Sequence, residues 1–204
     1  MLTGVRMMTG AVIRWKSIFD APCDLAQVHN QYLFSCMRFL MLKIEIAKGY
    51  IPGSVGRVVE LHGHYYSKHW GFNSYFECKI ATELAEFIGR YDDSRDGFWT
   101  VSMEGRIEGS ITVDGINAKD NEAHLRWFIV SEACQGKGIG SLLINTAMDF
   151  CRNHGYKRVY LWSFAGLDAA SHLYRKHGFR LVDQHLGTGW GTEVNEQLLE
   201  VWLE

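Results

Sequence analysis

Residues 123–141 read AHLRWFIVSEACQGKGIGS: an apolar run, a polar turn, a glycine-rich loop and the start of an amphipathic pattern. The run at 123–130 predicts a buried central strand. The pattern over 138–151 predicts a helix. Its inner face would carry Ile139, Leu142, Leu143, Ala147 and Phe150. A buried strand that turns through glycines into a helix is typical of a layered α/β domain.

The rest of the chain extends this alternation of strands and helices. Patterns typical of strands occupy 42–46, 98–103, 107–113, 123–130, 158–162, 179–184 and 196–203. Patterns typical of helices occupy 54–69, 75–88, 138–151 and 168–177. We expect Ser54, which follows Pro52 and Gly53, to cap the first helix. The predicted order, β-α-α-β-β-β-α-β-α-β-β, is an α/β architecture with a mixed sheet.

The composition fits one folded domain and argues against several classes of protein. With 204 residues, of which 47% are apolar and 13% aromatic, the chain can bury a substantial core. The formal net charge of −2 without a basic run argues against a nucleic-acid partner. No run approaches the roughly 18 apolar residues that span a bilayer, and Asp20 and Asp24 interrupt the N-terminal apolar stretch, which argues against a signal peptide.

The cysteines indicate a reducing compartment. There are five of them, an odd number, and no two are close in sequence. This is neither a disulfide framework nor a zinc spacing, so we predict free thiols in a cytoplasmic protein.

Residues 1–40 differ from the rest of the chain because methionines crowd them and a strand-like run begins only at 42–46. One interpretation is a helix over 24–42, marked by Leu25, Val28, Tyr32, Met37 and Leu40. The other is that the domain begins near Met41, after an accessory or mis-assigned leader. We assign 1–40 as an N-terminal extension and 41–204 as the domain.

A cluster of histidines does not predict a metal site. Two ligands on one face of a helix favour a spacing of about four residues. His62, His64 and His69 are separated by two and five residues instead. We therefore predict no metal and expect His62 to line a groove or to pack.

The glycine-rich loop at 135–141 predicts an anion site. Glycines let the backbone approach a bulky anion without interference from a Cβ atom. The helix that follows presents unpaired N–H groups and a partial positive charge. Lys137 and Ser141 add a cation and a hydroxyl donor. Together these groups would cradle a pyrophosphate.

Three other interpretations of this loop are weaker. A dinucleotide site would place an acidic residue at the end of the next strand, but that strand ends Leu161-Trp162-Ser163. A P-loop would place lysine directly after its last glycine, whereas Lys137 lies between the first two glycines. A purely structural turn remains as the third alternative.

The loop and a second segment together resemble the GNAT N-acetyltransferase family. That family places Gln or Arg, two variable residues and then Gly-x-Gly or Gly-x-Ala after its fourth strand, and QGKGIG at 135–140 fits. AASHLYRKHGF at 169–179 fits the family's helix beside the cofactor and the Gly-Phe entry into its sixth strand. The resemblance covers 41–204. Segments 50–53, 61–63, 76–77 and 199–203 also resemble the acetyltransferase half of fusions with MarR-type winged-helix regulators.

The resemblance implies a fold and an activity. The fold would be a mixed, mostly antiparallel seven-stranded sheet flanked by helices, with splayed fourth and fifth strands. The activity would move the acetyl group of acetyl-CoA to a primary amine of a small molecule, amino acid or peptide by direct attack. The alternative is a catalytically weak module that senses acetyl-CoA. A monomer and a homodimer both remain open.

The resemblance also implies which residues contact acetyl-CoA. They would be Phe128, Ile129, Val130, Gln135, Gly136, Lys137, Gly138, Ile139, Gly140, Ser141, Ser163, Ala169, Ala170 and Tyr174. Two positions depart from the family's pattern. Glu132 occupies a place where the family often has proline, and the segment SFAG at 163–166 replaces one that often supplies an asparagine. Ser163 would then make the contact of that asparagine.

The same resemblance assigns catalytic roles. Tyr174 would donate a proton to the leaving CoA thiolate, and the N–H of Ile129 or Val130 would polarise the thioester carbonyl.

The base that removes the amine proton is left open between several groups. Glu77 and Glu83 lie on the second predicted helix, and His124 lies on the fourth strand. A relay through water is the alternative to all three.

Overall fold

The computed structural model describes residues 44–204. The predictions for an extension at 1–40, a helix over 24–42 and a domain start near Met41 lie outside the described residues. Cys23 and Cys36 lie outside them as well.

A seven-stranded sheet forms the centre of the described chain. Its strands are β1 (Ile44–Lys48), β2 (Gly97–Met103), β3 (Arg106–Asp114), β4 (Glu122–Val130), β5 (Arg158–Phe164), β6 (Arg180–Gly187) and β7 (Val194–Trp202). Their spatial order is β1-β2-β3-β4-β5-β7-β6. All neighbouring pairs are antiparallel except β4 and β5, which are parallel. The predicted mixed, mostly antiparallel sheet is confirmed.

The helices of the described chain are α1 (Ser54–Trp70), α2 (Ser74–Gly89), α3 (Ile139–Asn153) and α4 (Asp168–Lys176). The predicted order of elements is confirmed, but the predicted cap of α1 is wrong. Gly53 is the N-cap residue, at φ 85°, because glycine adopts left-handed backbone at little cost. Ser54 is the first helical residue, and its buried hydroxyl has no hydrogen-bond partner among the described residues.

Two hydrophobic cores lie on opposite faces of the sheet. Phe98 and Trp99, which are consecutive in β2, belong to different cores, as the alternation of a strand requires. One core lies under α3 and the other, rich in aromatic side chains, lies under α1 and α2. The inner face predicted for α3 is buried except for Leu142, which is partly exposed at its edge.

A bulge in β4 redirects its side chains. The pairing register between β3 and β4 shifts between Ser110 and Thr112, and Trp127 has a left-handed φ of 45°. Leu125 belongs to the core under α3, whereas Trp127 belongs to the aromatic core. Strict alternation would place both on one face, so the extra residue of the bulge turns Trp127 toward α1 and α2.

Three expectations about chemistry can be compared with residues 44–204. No helix in this range is long and apolar enough to cross a membrane. No group of three or more His, Cys, Asp or Glu side chains in this range is placed to hold a metal ion. His62 is buried and His69 pairs with Glu132. The described cysteines are free thiols: Cys78, Cys134 and Cys151.

Candidate active site

β4 and β5 separate soon after they begin. Their pairing ends at His124 and Tyr160, and beyond that point β5 pairs with β7 alone. The predicted splay of the fourth and fifth strands is confirmed. A gap therefore opens beside the second half of β4, at the bulge and beyond it.

The backbone of β4 presents hydrogen-bond donors to this gap. The N–H of Ser131 donates to the carbonyl of Glu108 in β3 over 2.7 Å. Alternate N–H groups of a strand point the same way, so the N–H of Ile129 also faces β3. The N–H groups of Phe128 and Val130 then face the gap. Of the two donors predicted for the thioester carbonyl, Val130 can reach a molecule in the gap and Ile129 cannot.

The glycine-rich loop lies at the wide end of the gap, where β4 leads into α3. Gly136 and Gly138 have left-handed φ values of 71° and 82°, which residues with a Cβ adopt only at a cost. Gly138 is the N-cap residue of α3, so the unpaired N–H groups of the first turn follow it directly. Lys137 and Ser141 are both half-buried here. The arrangement fits the predicted pyrophosphate cradle.

Three other residues predicted to contact the cofactor stabilise the loop through packing or a hydrogen bond. The side chain of Ile139 is fully buried in the core under α3, which leaves its backbone N–H for a ligand. A Cβ on Gly140 would lie 3.1 Å from Leu173 of α4, so this glycine permits close packing of α3 on α4. Gln135 donates from Nε2 to the carbonyl of Val130 over 3.2 Å and braces the loop.

Glu132, which stands where the family often has proline, ties the loop to α1. Its carboxylate accepts hydrogen bonds from Lys68 over 2.8 Å and from His69 over 2.6 Å. These bonds hold the pKa of Glu132 below its ordinary value. The start of the loop is therefore positioned by ion pairs to the last turn of α1.

A cavity of about 370 Å³ occupies the gap and the space beneath α1 and α2. It brings together predicted residues from both sides of the sheet: Phe128, Ser163, Ala170, Tyr174, Glu83 and His124. The predicted residues at 129–130 and 135–141 do not line this cavity, and neither do Glu77 and Ala169. Glu77 is exposed and packs against Gly63 of α1, and Ala169 is exposed on α4.

Tyr174 lies at the cofactor side of the cavity. Its ring is buried between Phe128 and Phe179, whose ring centroids lie 6.1 Å and 5.8 Å away. Burial raises the pKa of the Tyr174 phenol well above its ordinary value, and Tyr66 raises it further. The phenol therefore stays protonated at neutral pH and can donate a hydrogen bond to a bound molecule.

Glu83 is already neutralised by two cations. Its carboxylate pairs with Lys79 one turn earlier in α2 and with the guanidinium of Arg126 in β4. Arg126 also pairs with the buried carboxylate of Asp114, 3.3 Å away. An amine could reach this carboxylate only by breaking one of its two ion pairs. The geometry does not favour Glu83 as the base.

His124 is a weak proton acceptor. Its ring stacks on Tyr160, with centroids 4.5 Å apart. Burial, assisted by the charge of Arg126, lowers the pKa of His124 to about 3. A base is most effective when its pKa lies near the working pH. His124 is therefore neutral but poorly suited to hold a proton.

His62, which the sequence left between a groove and the core, lines the cavity from α1. Its Nδ1 lies 2.8 Å from the carbonyl of Val58, a bond to which the ring must donate, which leaves Nε2 as an acceptor. Burial lowers the pKa of His62 to about 4. The native protein thus holds this ring neutral.

Acid should destabilise the protein through His62. The unfolded histidine has a pKa near 6.5, and the native one about 4, so the unfolded state binds the proton first. Stability is full above pH 6.5 and falls as the pH drops toward 4, by about 2 kcal/mol at pH 5 from this group. Urea unfolding at pH 7, 6 and 5 should show a shallower loss for His62→Gln. The exposed control His172→Gln should keep the wild-type slope, and equal slopes in all three proteins would contradict this assignment.

Three charged cavity residues were not singled out from the sequence: Lys79, Arg126 and Glu196. For two of them the sequence contains a pattern that could have pointed to the residue. Lys79 stands four residues before Glu83, the spacing of a helical ion pair, and Arg126 interrupts an apolar strand. Trp190 and Glu196 come from the β6–β7 hairpin, and no local pattern places a hairpin over a distant cavity.

Comparisons with known proteins agree with this geometry. The profile of the Acetyltransferase (GNAT) family matches residues 57–179. A probable N-acetyltransferase of family 8 (member 5) from Mus musculus is 25% identical over 82% of this chain and 67% of its own length. The uncharacterized N-acetyltransferase YjgM of Escherichia coli is 30% identical over 51% of this chain and 63% of its own length. The chain thus spans about two thirds of these relatives.

Solved structures share the fold. A GNAT-family acetyltransferase from Staphylococcus aureus superposes with a TM-score of 0.63 at 18% identity, over 79% of this chain and 99% of that protein. Ard1 from Thermoplasma volcanium gives a TM-score of 0.63 at 18% identity, over 79% and 98%. At these identities the likeness concerns the fold alone.

Proposed function

This chain belongs to the acetyltransferase (GNAT) family, and we propose that it moves the acetyl group of acetyl-CoA to a primary amine by direct attack. The observation that carries the proposal is the gap between β4 and β5. Phe128 of β4 and Tyr174 line the cavity at this gap. The N–H groups of Phe128 and Val130 point away from β3, and the glycine-rich loop follows β4 along the chain. The acceptor would be a small molecule, an amino acid or a peptide.

The described residues fit acetyl-CoA, which supplies the acetyl group as an activated thioester. The N–H groups of Phe128 and Val130 have no strand opposite them in the gap, so they can pair with the amides of a pantetheine arm. Val130 is then placed to donate to the thioester carbonyl and to stabilise the negative charge that develops there. Gly136 and the first turn of α3 would hold the pyrophosphate.

Tyr174 acts on the leaving thiolate in this proposal. Because the pKa of its phenol is raised, we propose that it stabilises the thiolate as a hydrogen-bond donor, with little transfer of its own proton. Ser163 is buried beside the same cavity and fits the place of the family's asparagine.

The amine must attack as the free base, and we propose that its proton leaves through water. Glu77 lies outside the cavity, Glu83 is held by two cations, and His124 is a weak acceptor. The cavity is open enough to hold water next to the gap.

Release of free CoA thiol with a panel of amines tests the proposed function. We expect release that depends on both an amine and acetyl-CoA. Tight binding of acetyl-CoA with no thiol release for any amine would make the protein a sensor module instead.

Glu83→Gln distinguishes a structural role of Glu83 from a catalytic one. A general base contributes about 100- to 10,000-fold to the rate, whereas we expect this variant to lose less than about tenfold in kcat because the carboxylate is already paired. Steady-state kinetics with one amine will measure it. Glu86→Gln, an exposed neighbour on α2, is the matched control. A loss beyond a hundredfold for Glu83→Gln alone would restore Glu83 as the base.

We propose from the sequence that the protein is cytoplasmic and acts without a metal. We also propose that residues 41–204 form one domain, similar to the acetyltransferase half of MarR-type fusions. These proposals concern the compartment, the metal requirement and the domain bounds of the enzyme, and the proposed acetyl transfer does not depend on them.

A further inference from the structure

The charged side chains of the cavity are not equally available to a ligand. Glu83 is paired with both Lys79 and Arg126, and Arg126 is paired with Asp114 as well. An acidic group on the acceptor would therefore meet cations that already have partners. The remaining carboxylate of the cavity is Glu196 of β7.

Glu196 has no lysine or arginine partner within the described part of the chain. The nearest basic group recorded for it is His185, whose Nε2 lies 3.9 Å from Oε2. The side chain of Glu196 is only 13% exposed, whereas that of His185 is 51% exposed. A mostly buried carboxylate without a close cation is costly unless it finds hydrogen bonds or a ligand of opposite charge.

The β6–β7 hairpin is built around this carboxylate. The N–H of Gly189 donates to Oε1 of Glu196 over 2.7 Å. A Cβ would lie 2.5 Å from Oε1 if placed on Gly187 and 2.9 Å from it if placed on Gly189. Two glycines thus leave room for the carboxylate, and one oxygen is fixed by the backbone. The other oxygen, Oε2, accepts no hydrogen bond among the described residues and has only the His185 ring near it, 3.9 Å away.

Aromatic rings surround Glu196 in the cavity. Phe164 of β5 pairs in register with Glu196, and the ring of Trp190 lies 5.4 Å from that of Phe164. Trp162, two residues before Phe164 on β5, lines the same cavity. Such rings pack against an apolar body and attract a cation over their faces.

We propose that Glu196 binds the ammonium group of the acceptor, and that the acceptor is a small aromatic or apolar amine without an acidic group. This inference rests on the acetyl transfer proposed above and names its substrate class. Glu196 orients the amine in its protonated form, and the proton leaves to water before attack.

Three ligands of similar size test the inference: 2-phenylethylamine, phenylalanine and 3-phenylpropionate. We expect 2-phenylethylamine to exceed phenylalanine at least tenfold in kcat/KM, because the added carboxylate finds no available cation. Glu196→Gln keeps the shape and the bond from Gly189. It should lower kcat/KM for 2-phenylethylamine by about 10- to 150-fold, the range of a lost charge-assisted hydrogen bond, with the KM for acetyl-CoA within about twofold of wild type.

A binding measurement separates this inference from the proposed function. Calorimetric titration of the CoA-loaded protein should show 2-phenylethylamine bound, 3-phenylpropionate not bound, and the amine weakened at least tenfold by Glu196→Gln. Glu193→Gln, an exposed residue of the same hairpin, is the control and should match wild type. Glu196-dependent binding without thiol release would overturn the transferase and leave the site intact. Thiol release that Glu196→Gln does not alter, or equal use of phenylalanine, would overturn the site and leave the transferase intact.

Discussion

Tyr174→Phe is expected to lower kcat by about a hundredfold while leaving the KM for acetyl-CoA within about twofold, because the phenol acts on the leaving thiolate and adds little to ground-state binding. Phenylalanine keeps the ring that packs between Phe128 and Phe179. Only the hydroxyl is removed, so the fold and the cofactor site should persist. Thiol release under saturating amine measures the change.

The pH dependence of the same reaction tests the proposed role of Tyr174. Its pKa is raised by burial, so its ionisation should not appear as a falling limb of the wild-type kcat profile at pH 9. Tyr156→Phe is the matched control, since Tyr156 is also buried and its hydroxyl donates to the carbonyl of Arg95 but it does not line the cavity. That variant should change stability and not kcat. A Tyr174→Phe enzyme with more than a third of wild-type kcat would remove the phenol from the mechanism.

Gly136→Asp is expected to raise the KM for acetyl-CoA by about 30-fold or more. Two like charges about 4 Å apart repel by about 4 kcal/mol at an effective dielectric constant near 20, and solvent and salt at this exposed loop reduce that figure. About 2 kcal/mol remains, which corresponds to about 30-fold. The backbone at Gly136 has φ 71° and no atom within 4 Å of an added Cβ, a conformation that aspartate tolerates.

Two variants isolate the charge at the loop from strain in its backbone. Gly155→Asp places the same residue at φ 75°, again with nothing within 4 Å, beyond the other end of α3. Gly136→Asn keeps the size without the charge. Both should leave the KM for acetyl-CoA within about threefold of wild type, and the effect of Gly136→Asp should shrink in high salt. If Gly155→Asp raises the KM as much as Gly136→Asp does, the loop does not hold the pyrophosphate.

The surroundings of the acidic residues on α2 could not be predicted from the sequence. Glu77 and Glu83 both lie on the second predicted helix, and the sequence leaves both open as candidates for the base. The structure turns Glu77 out of the cavity and pairs Glu83 with Arg126, a residue 43 positions away along the chain. Helical spacing gives the direction of a side chain only approximately, and it says nothing of a partner on another strand.

The direction of the backbone N–H groups of β4 could not be predicted from the sequence either. The residues 128–130 were placed beside the cofactor from the family's motif, and Ile129 and Val130 could not be separated as donors. The bulge at Trp127 and the bond from Ser131 to Glu108 decide which N–H groups face the gap. A one-residue bulge leaves no mark in this run, because its apolar residues at 127–130 are compatible with either face of a sheet that carries a core on both sides.

The sequence by itself determined the order of strands and helices, the place of the glycine-rich loop at the end of β4 and the candidate Tyr174. These follow from local periodicity and from motifs of contiguous residues, which act over a few positions of the chain. The tertiary structure alone decided which charges remain available in the cavity. It pairs Glu83 with Arg126 and sets Glu196 against the glycines of a hairpin, because ion pairs and burial depend on which distant segments the sheet brings together.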